Sequence, residues 1–180
     1  MITIANIITV LRIFLVPVFV MTIVYKRFEQ SLYVFIVAAI TDALDGLVAR
    51  LKNQKTRLGA FLDPLADKLL LLTAFLSLTF LEIVPKWLTV IIISRDLIVI
   101  LGWISLYIQT GSTKVEPSIA GKLSNTLQVM TIAGVLVNLN LYRLEGFLKP
   151  LYMLTAFFAI LSCVHYILRE IKAYEQSGSN

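Results

Sequence analysis

The sequence predicts an all-α membrane protein, a bundle of six transmembrane helices that forms a single domain over residues 1–180. Hydrophobic residues make up 58% of the chain and the mean hydropathy is +0.86, whereas soluble proteins contain roughly 45–50% apolar residues. The apolar residues also fall into runs near the roughly 20 residues that a helix needs to cross the hydrocarbon core of a bilayer. Short polar stretches separate these runs, which predicts several spans rather than one.

Each predicted helix is bounded by charged or turn-forming residues. The predicted spans are residues 4–25, 30–52, 59–82, 86–109, 118–141 and 147–169. Breaks between them are marked by Lys26-Arg27, by Pro85-Lys86, by Gly111-Ser112 with Pro117, and by Gly146 with Pro150. We expect the first span to be retained rather than cleaved as a signal peptide, because it lacks a basic leader and carries Arg12 inside it.

The distribution of basic residues predicts the orientation of the bundle. Eight flank the predicted spans on one side: Arg50, Lys52, Lys55, Arg57, Lys114, Lys122, Arg169 and Lys172. Five flank the other side: Lys26, Arg27, Lys86, Arg143 and Lys149. Because cytoplasmic loops carry the excess of Lys and Arg, we expect an integral protein of a bacterial-type cytoplasmic membrane, with both termini in the cytoplasm. The net charge of +5 suits anionic headgroups, and nothing indicates nucleic acid as a partner.

Four of the five aspartates lie close together on the second and third predicted helices, at positions 42, 45, 63 and 67. At about 100° per residue, Asp42 and Asp45 share one face of a helix, and so do Asp63 and Asp67. Ionisable groups at membrane depth are costly and usually mark a functional site or path. The sequence therefore predicts a carboxylate site between these helices, facing the cytoplasm.

Four carboxylates at close range repel one another unless cations lie between them. The chain has one cysteine and one histidine, so the expected ligands are oxygens, which favour hard divalent ions such as Mg²⁺ or Mn²⁺. Four carboxylates are enough to hold two ions at the roughly 4 Å spacing used in phosphoryl chemistry. A membrane cation transporter that uses the same acids as its ion path is a remote alternative.

Small and basic residues accompany the aspartates. Gly46, Ala49 and Gly59 leave space for a nucleotide beside the acids, although close packing of helices is an equally physical reason for small residues. Arg50 offers donors that match phosphate oxygens, and it can also be read as part of a basic cytoplasmic loop.

The stretch Asp42-Ala-Leu-Asp45-Gly46-Leu-Val-Ala49-Arg50, eight residues, then Gly59-Ala-Phe-Leu-Asp63-Pro-Leu-Ala-Asp67 resembles the signature of the CDP-alcohol phosphotransferase family, D-x2-D-G-x2-A-R-x8-G-x3-D-x3-D. All eight fixed positions match at the required spacing. The resemblance implies a six-helix core that forms a homodimer in the lipid bilayer. It also implies transfer of a phosphatidyl group from CDP-diacylglycerol to an alcohol, with release of CMP.

The resemblance also implies a role for each motif residue. The implied metal ligands are Asp42, Asp45, Asp63 and Asp67, and Asp67 would also be the base that takes the proton from the acceptor hydroxyl. The residues implied to contact the nucleotide and phosphates of the donor are Gly46, Ala49, Arg50 and Gly59.

The acceptor is predicted from other segments. Asn6-Ile-Ile-Thr9-Val-Leu-Arg12, followed by Pro17, resembles the members of the family that make phosphatidylglycerophosphate from sn-glycerol 3-phosphate, and so does the run from Asp63 through Lys68. Arg95 and Lys122 are candidate ligands of the acceptor phosphate. The alternatives are an ion pair of Arg95 with Asp96 or with a motif aspartate, and an interfacial position for Lys122.

One segment departs from that pattern. Gly121-Lys122-Leu123-Ser124-Asn125 resembles a G-K-x-K-T segment of these synthases, but Ser124 and Asn125 replace the second lysine and the threonine. The departure keeps inositol phosphate, serine or another alcohol open as the acceptor. An intramembrane prenyltransferase is a further alternative, although its acid spacing generally differs.

Overall fold

The computed structural model describes the backbone of residues 4–52, 57–110, 119–141 and 145–177, and the side chains of residues 11–41, 68–102, 119–141 and 146–168. Six α-helices occupy these ranges: α1 (Ile4–Val24), α2 (Phe28–Lys52), α3 (Arg57–Phe80), α4 (Lys86–Thr110), α5 (Ile119–Leu141) and α6 (Glu145–Ser177). Within the described ranges there is no β-strand. The prediction of an all-α chain with six helices in this order is confirmed.

The main difference from the predicted boundaries is in α6, which continues to Ser177 instead of ending at residue 169. Hydropathy falls at the bilayer border, but helix propensity does not, and the residues beyond 169 are mostly good helix formers. Pro150, predicted to break the chain before the sixth helix, lies inside α6. It sits within the first two turns, where its ring costs a single backbone hydrogen bond. The predicted break at 111–117 lies outside the described residues.

Left-handed residues end α1 and α3. Lys26 has φ of 55° and Glu82 has φ of 59°. After α1, the Arg27 N–H donates to the carbonyl of Thr22 at 2.8 Å and the Lys26 N–H donates to the carbonyl of Ile23 at 2.9 Å, which is the Schellman arrangement. The chain thereby reverses between α1 and α2, as the Lys26-Arg27 break predicts.

The first compact unit comprises Met1–Val84 and Ile132–Glu145. Within it α1 packs against both α2 and α3. The α1–α2 contact includes Phe19 and Phe35, whose ring centroids are 6.0 Å apart. The end of α5 belongs to the same unit, where the Asn140 side-chain amide donates to the carbonyl of Phe28 at 3.2 Å. The unit therefore gathers the two motif-bearing helices around α1.

The second compact unit comprises Pro85–Thr131 and Gly146–Asn180, which are α4, the first half of α5, and α6. The hydroxyls of Thr131 and Thr155 form a buried hydrogen bond of 2.7 Å between α5 and α6. A Cβ added to Gly102 would lie 2.5 Å from Cε1 of Tyr166, so glycine at this position lets α4 and α6 approach closely.

One segment of the described residues has the length and composition of a membrane span. Gly146–Leu168 is the one segment among them that is long and apolar enough to cross a bilayer, by length and composition. Shorter apolar helical segments are Leu11–Val24, Phe28–Thr41 and Lys68–Phe80.

Candidate active site

The two halves of the motif lie on consecutive helices of the first unit. Positions 42 to 50 fall in the last three turns of α2, and positions 59 to 67 fall in the first three turns of α3. The side chains of these residues lie outside the described set, so the predicted arrangement of their carboxylates stays a prediction.

The backbone register relates the acidic positions to the buried faces of both helices. On α2 the buried residues Ser31, Phe35 and Ala38 alternate at spacings of four and three, and positions 42, 45 and 49 continue that series. On α3 the buried residues Leu71, Ala74 and Leu78 form the same kind of series, which position 67 precedes by four. Because residues at such spacings share one helix face, the acidic positions extend the faces that pack in the core.

Helix lengths place two of the acidic positions at similar distances from the adjoining helix ends. Asp42 is ten residues before Lys52 (52 − 42 = 10), where α2 ends, and Asp67 is ten residues after Arg57 (67 − 57 = 10), where α3 begins. At a rise of about 1.5 Å per residue, each lies about 15 Å from its helix end. Only residues 53–56 join the two ends, and a chain of that length spans at most roughly 18 Å.

The donor set of the motif suits a hard cation. The four acidic positions lie on α2 and α3, and the motif contains neither cysteine nor histidine. Carboxylate oxygens without sulfur or imidazole are the ligands that Mg²⁺ and Mn²⁺ prefer. Among the side chains that the structure describes, no three acidic, cysteine or histidine residues come together as a metal site, and the four motif aspartates are not in that set.

Arg95 is buried in the second unit and joins its three helices. Its Nη1 donates to Oδ1 of Asp96 at 2.6 Å and to Oδ1 of Asn125 on α5 at 3.2 Å. Its Nη2 donates to Oγ of Ser162 on α6 at 2.9 Å. The ion pair with Asp96, which the sequence left open as an alternative, is therefore present. Lys122, the second candidate, is exposed near the start of α5.

Two residues of α5 that are close in sequence to Asn125 carry buried polar atoms without hydrogen-bond partners among the described residues. Ser124 and Gln128 are both fully buried. Neither the Ser124 hydroxyl nor either atom of the Gln128 amide has a hydrogen-bond partner among the described residues, and the same holds for Nε of Arg95. Buried polar groups are rarely left so unless water or a ligand completes them. The cluster of Arg95, Ser124, Asn125, Gln128 and Ser162, termed the polar cluster below, is thus a candidate for binding a polar group.

Part of the polar cluster is predictable from the sequence. The sequence indicates Arg95 as a candidate, whereas Ser124 and Asn125 stand out only as departures from a resemblance. The spacing of Ser124 and Gln128, four apart on an apolar helix, is a signal that would have selected both. Ser162 gives no comparable signal, because a single serine in an apolar span more often bonds to its own helix.

Comparison with known proteins agrees with the motif. Residues 2–167 match the sequence model of the CDP-alcohol phosphatidyltransferase family. The chain belongs to this family.

Individual relatives resemble the chain over different shares of their length. The CDP-diacylglycerol–glycerol-3-phosphate 3-phosphatidyltransferase of Bacillus subtilis is 32% identical over 99% of this chain and 100% of its own. The enzyme of the same name from Haemophilus influenzae is 33% identical over 88% of both chains. The CMP-forming cardiolipin synthase of Rattus norvegicus is 33% identical over 91% of this chain, which spans 60% of that protein's length.

Proposed function

We propose that this protein transfers a phosphatidyl group from CDP-diacylglycerol to sn-glycerol 3-phosphate, giving phosphatidylglycerophosphate and CMP. The observation that carries the proposal is the likeness to the Bacillus subtilis enzyme named for this reaction, which covers both chains almost from end to end. The complete eight-position motif on α2 and α3 supports the reaction class independently of the acceptor.

The four motif aspartates have two roles in the proposed reaction, metal binding and proton transfer. Asp42, Asp45 and Asp63, with Asp67, would hold two divalent ions, which when bound neutralise the pyrophosphate of the donor and the charge that develops on CMP. Asp67 takes the proton of the acceptor hydroxyl. The acceptor oxygen then forms a bond to the lipid-linked phosphorus as the bond from that phosphorus to the CMP oxygen breaks.

Other motif residues bind the donor. Arg50 donates to its phosphate oxygens. Gly46, Ala49 and Gly59 leave room for the cytidine part against the helix backbone.

The membrane setting is part of the proposal. All six helices would span a cytoplasmic membrane as one domain, with both termini and the active site in the cytoplasm and a homodimer as the assembled form. Two features support it: the apolar segment Gly146–Leu168, and large apolar side chains that face outward from the described helices, such as Phe14, Phe80 and Leu101. In water such side chains would form exposed patches that soluble monomers rarely carry.

We assign the acceptor phosphate to the polar cluster, with Lys122 at its entrance. A phosphate oxygen would accept from Nε of Arg95 and from the Gln128 amide or the Ser124 hydroxyl, donors that lack partners among the described residues. Such hydrogen bonds to an anion are shorter and stronger than those between neutral groups. The Asp96 carboxylate holds the guanidinium in place.

A second acceptor, phosphatidylglycerol, is favoured by two observations. Asp96 already balances the charge of Arg95 at 2.6 Å, and Ser124 and Asn125 are neutral where a lysine and a threonine stand in the resembling segment. Both features suit an acceptor of lower charge than a phosphate monoester. Transfer to phosphatidylglycerol yields cardiolipin and CMP, in line with the name of the rat relative.

The acceptor is tested by offering the purified protein CDP-diacylglycerol with one alcohol at a time and measuring CMP and the lipid product. The alcohols are glycerol 3-phosphate, phosphatidylglycerol, inositol phosphate, serine and glycerol. We expect the highest kcat/KM with glycerol 3-phosphate. A higher value with phosphatidylglycerol would replace the first proposal with the second, and CMP release with neither would reject both.

Substitution of Arg95 tests the assigned phosphate site. Arg95→Ala is expected to lower kcat/KM for glycerol 3-phosphate roughly 30- to 150-fold, equivalent to about 2–3 kcal/mol for a charged hydrogen-bond partner that is lost. The KM for CDP-diacylglycerol should change little. Glycerol, which has no phosphate, should react equally slowly with the wild-type protein and the variant.

Two comparisons separate binding from folding in that test. Thr131→Val removes a buried hydrogen bond of the same unit in which none of the partners of Arg95 takes part, so it should lower Tm without changing acceptor kinetics. Ser162→Ala removes one support of the guanidinium but keeps its charge, so its kinetic effect should be smaller than that of Arg95→Ala. Equal losses with glycerol 3-phosphate and glycerol would show that Arg95 only stabilises the fold.

A further inference from the structure

Arg12 is a charged residue in the core of the first unit. It lies on α1 and is 1% exposed, so the whole side chain has left solvent. A guanidinium so deeply buried costs several kcal/mol unless a matching negative charge lies near it. The surroundings of Arg12 on α2 and α3 therefore decide what it does.

The packing of α1 against α2 fixes the register of Arg12. Phe19 and Phe35 are in contact, and the reversal after Val24 makes the two helices antiparallel. Arg12 precedes Phe19 by seven residues, and Asp42 follows Phe35 by seven. Seven residues are two helical turns to within about 20°. Arg12 and Asp42 therefore hold equivalent places on facing helices, about 10 Å beyond the phenylalanine pair.

The position of Asp67 on α3 is consistent with the same level. α1 also packs against α3, and both helices end in a left-handed residue, Lys26 and Glu82. Arg12 is fourteen residues before Lys26 (26 − 12 = 14), and Asp67 is fifteen residues before Glu82 (82 − 67 = 15). Counted along each helix at a rise of about 1.5 Å per residue, the distances of Arg12 and Asp67 from these two left-handed residues differ by one residue.

We propose that Arg12 is a positioning residue for the metal site: its guanidinium offsets the charge of the acidic cluster and orients the carboxylate of Asp42 for metal binding. The proposal rests on the metal site of the proposed function. A planar guanidinium can hold one carboxylate by two parallel hydrogen bonds. The carboxylate then has a fixed orientation, and its remaining lone pairs can face the metal. Residues that form hydrogen bonds to a metal ligand in this way typically contribute ten- to hundredfold to metal affinity.

Repulsion between Arg12 and a bound cation works in the opposite direction, so the sign of the effect is informative. If orientation dominates, removing the guanidinium weakens metal binding. If repulsion dominates, removing it strengthens metal binding. The buried setting favours orientation, because four carboxylates released from a cation would repel one another and turn away or take up protons.

The test measures Mn²⁺ binding to the purified protein in detergent, without substrates, from the electron paramagnetic resonance signal of free Mn²⁺. Arg12→Gln is expected to raise the Kd of Mn²⁺ ten- to hundredfold. Arg12→Lys keeps the charge but loses the two-pronged geometry, so its Kd should be intermediate. Phe19→Leu is the matched control, since it alters the same buried face of α1 two turns away; it should lower Tm and leave the Kd unchanged.

The outcomes separate this inference from the proposed function. A wild-type protein that binds no Mn²⁺ would overturn the metal site itself. A wild-type protein that binds Mn²⁺, beside a folded Arg12→Gln variant with an equal or lower Kd, would overturn only the role of Arg12. If Arg12→Gln does not fold, Arg12→Lys decides: a raised Kd supports the positioning role, and an unchanged one overturns it.

Discussion

Excess EDTA is expected to abolish CMP release from CDP-diacylglycerol, and added Mg²⁺ or Mn²⁺ is expected to restore it. The reason is electrostatic. The acidic positions 42, 45 and 67 continue the buried series of α2 and α3, and negative charges without compensation are costly on such faces. Ions held by these aspartates would supply the positive charge that offsets the charge of the departing CMP. The measurement is CMP formation against free metal concentration.

Thermal unfolding gives a second measurement of the same site that does not depend on turnover. A ligand that binds only the folded state raises its stability, so metal should raise Tm and EDTA should lower it. A variant with Asp45→Asn should show a smaller rise in Tm on adding metal. Full turnover in excess EDTA, with Tm insensitive to metal, would contradict the two-metal site.

The helices were predictable because hydropathy and turn residues both act locally. Lys26 and Pro85 mark helix ends in the structure as they do in the sequence. Two predicted boundaries of the sixth helix were wrong, because a proline and a fall in hydropathy were both read as helix ends. Proline disrupts the interior of a helix, but Pro150 lies near the start of α6, where the cost is smaller. The fall in hydropathy after residue 169 marks the end of the apolar segment, whereas the helix continues to Ser177.

The family could be predicted from the spacing of the eight motif positions, and the family match over residues 2–167 confirms it. The roles of the individual motif residues stay predictions. The polar cluster depends instead on which helices meet in the second unit, since Arg95 reaches Asn125 and Ser162 across distant parts of the chain. Pattern alone could not choose between Asp96 and an acceptor as the partner of Arg95. The structure settles the Asp96 contact, and the acceptor stays a proposal.

The place of Arg12 illustrates the same limit. From the sequence, Arg12 is an arginine inside an apolar span and part of a resemblance. Its relation to Asp42 follows only from the contact between Phe19 and Phe35, which sets the register of α1 against α2. Contacts between helices, not the periodicity within one helix, determine which charges meet.

Asp67→Asn is expected to remove most of the turnover while the affinity for CDP-diacylglycerol stays nearly unchanged. An amide cannot accept the proton of the acceptor hydroxyl, and loss of a positioned base typically costs 10²- to 10⁴-fold in rate. The amide keeps the shape of the carboxylate and one of its oxygens, so the helix and most of the metal site should persist. The measurements are single-turnover CMP release and equilibrium binding of the donor.

Asp63→Asn is the matched comparison for that experiment, because position 63 lies one turn earlier on α3 and is assigned to the metals alone. It should weaken metal and donor binding together with turnover, because the Asp63–metal interaction is present both in the ground state with bound donor and in the transition state. Asp67→Asn should lower kcat without that loss of binding, the pattern of an interaction made only in the transition state. If donor affinity instead fell in step with turnover for Asp67→Asn, Asp67 would act in metal and donor binding alone, and another group would have to take the acceptor's proton.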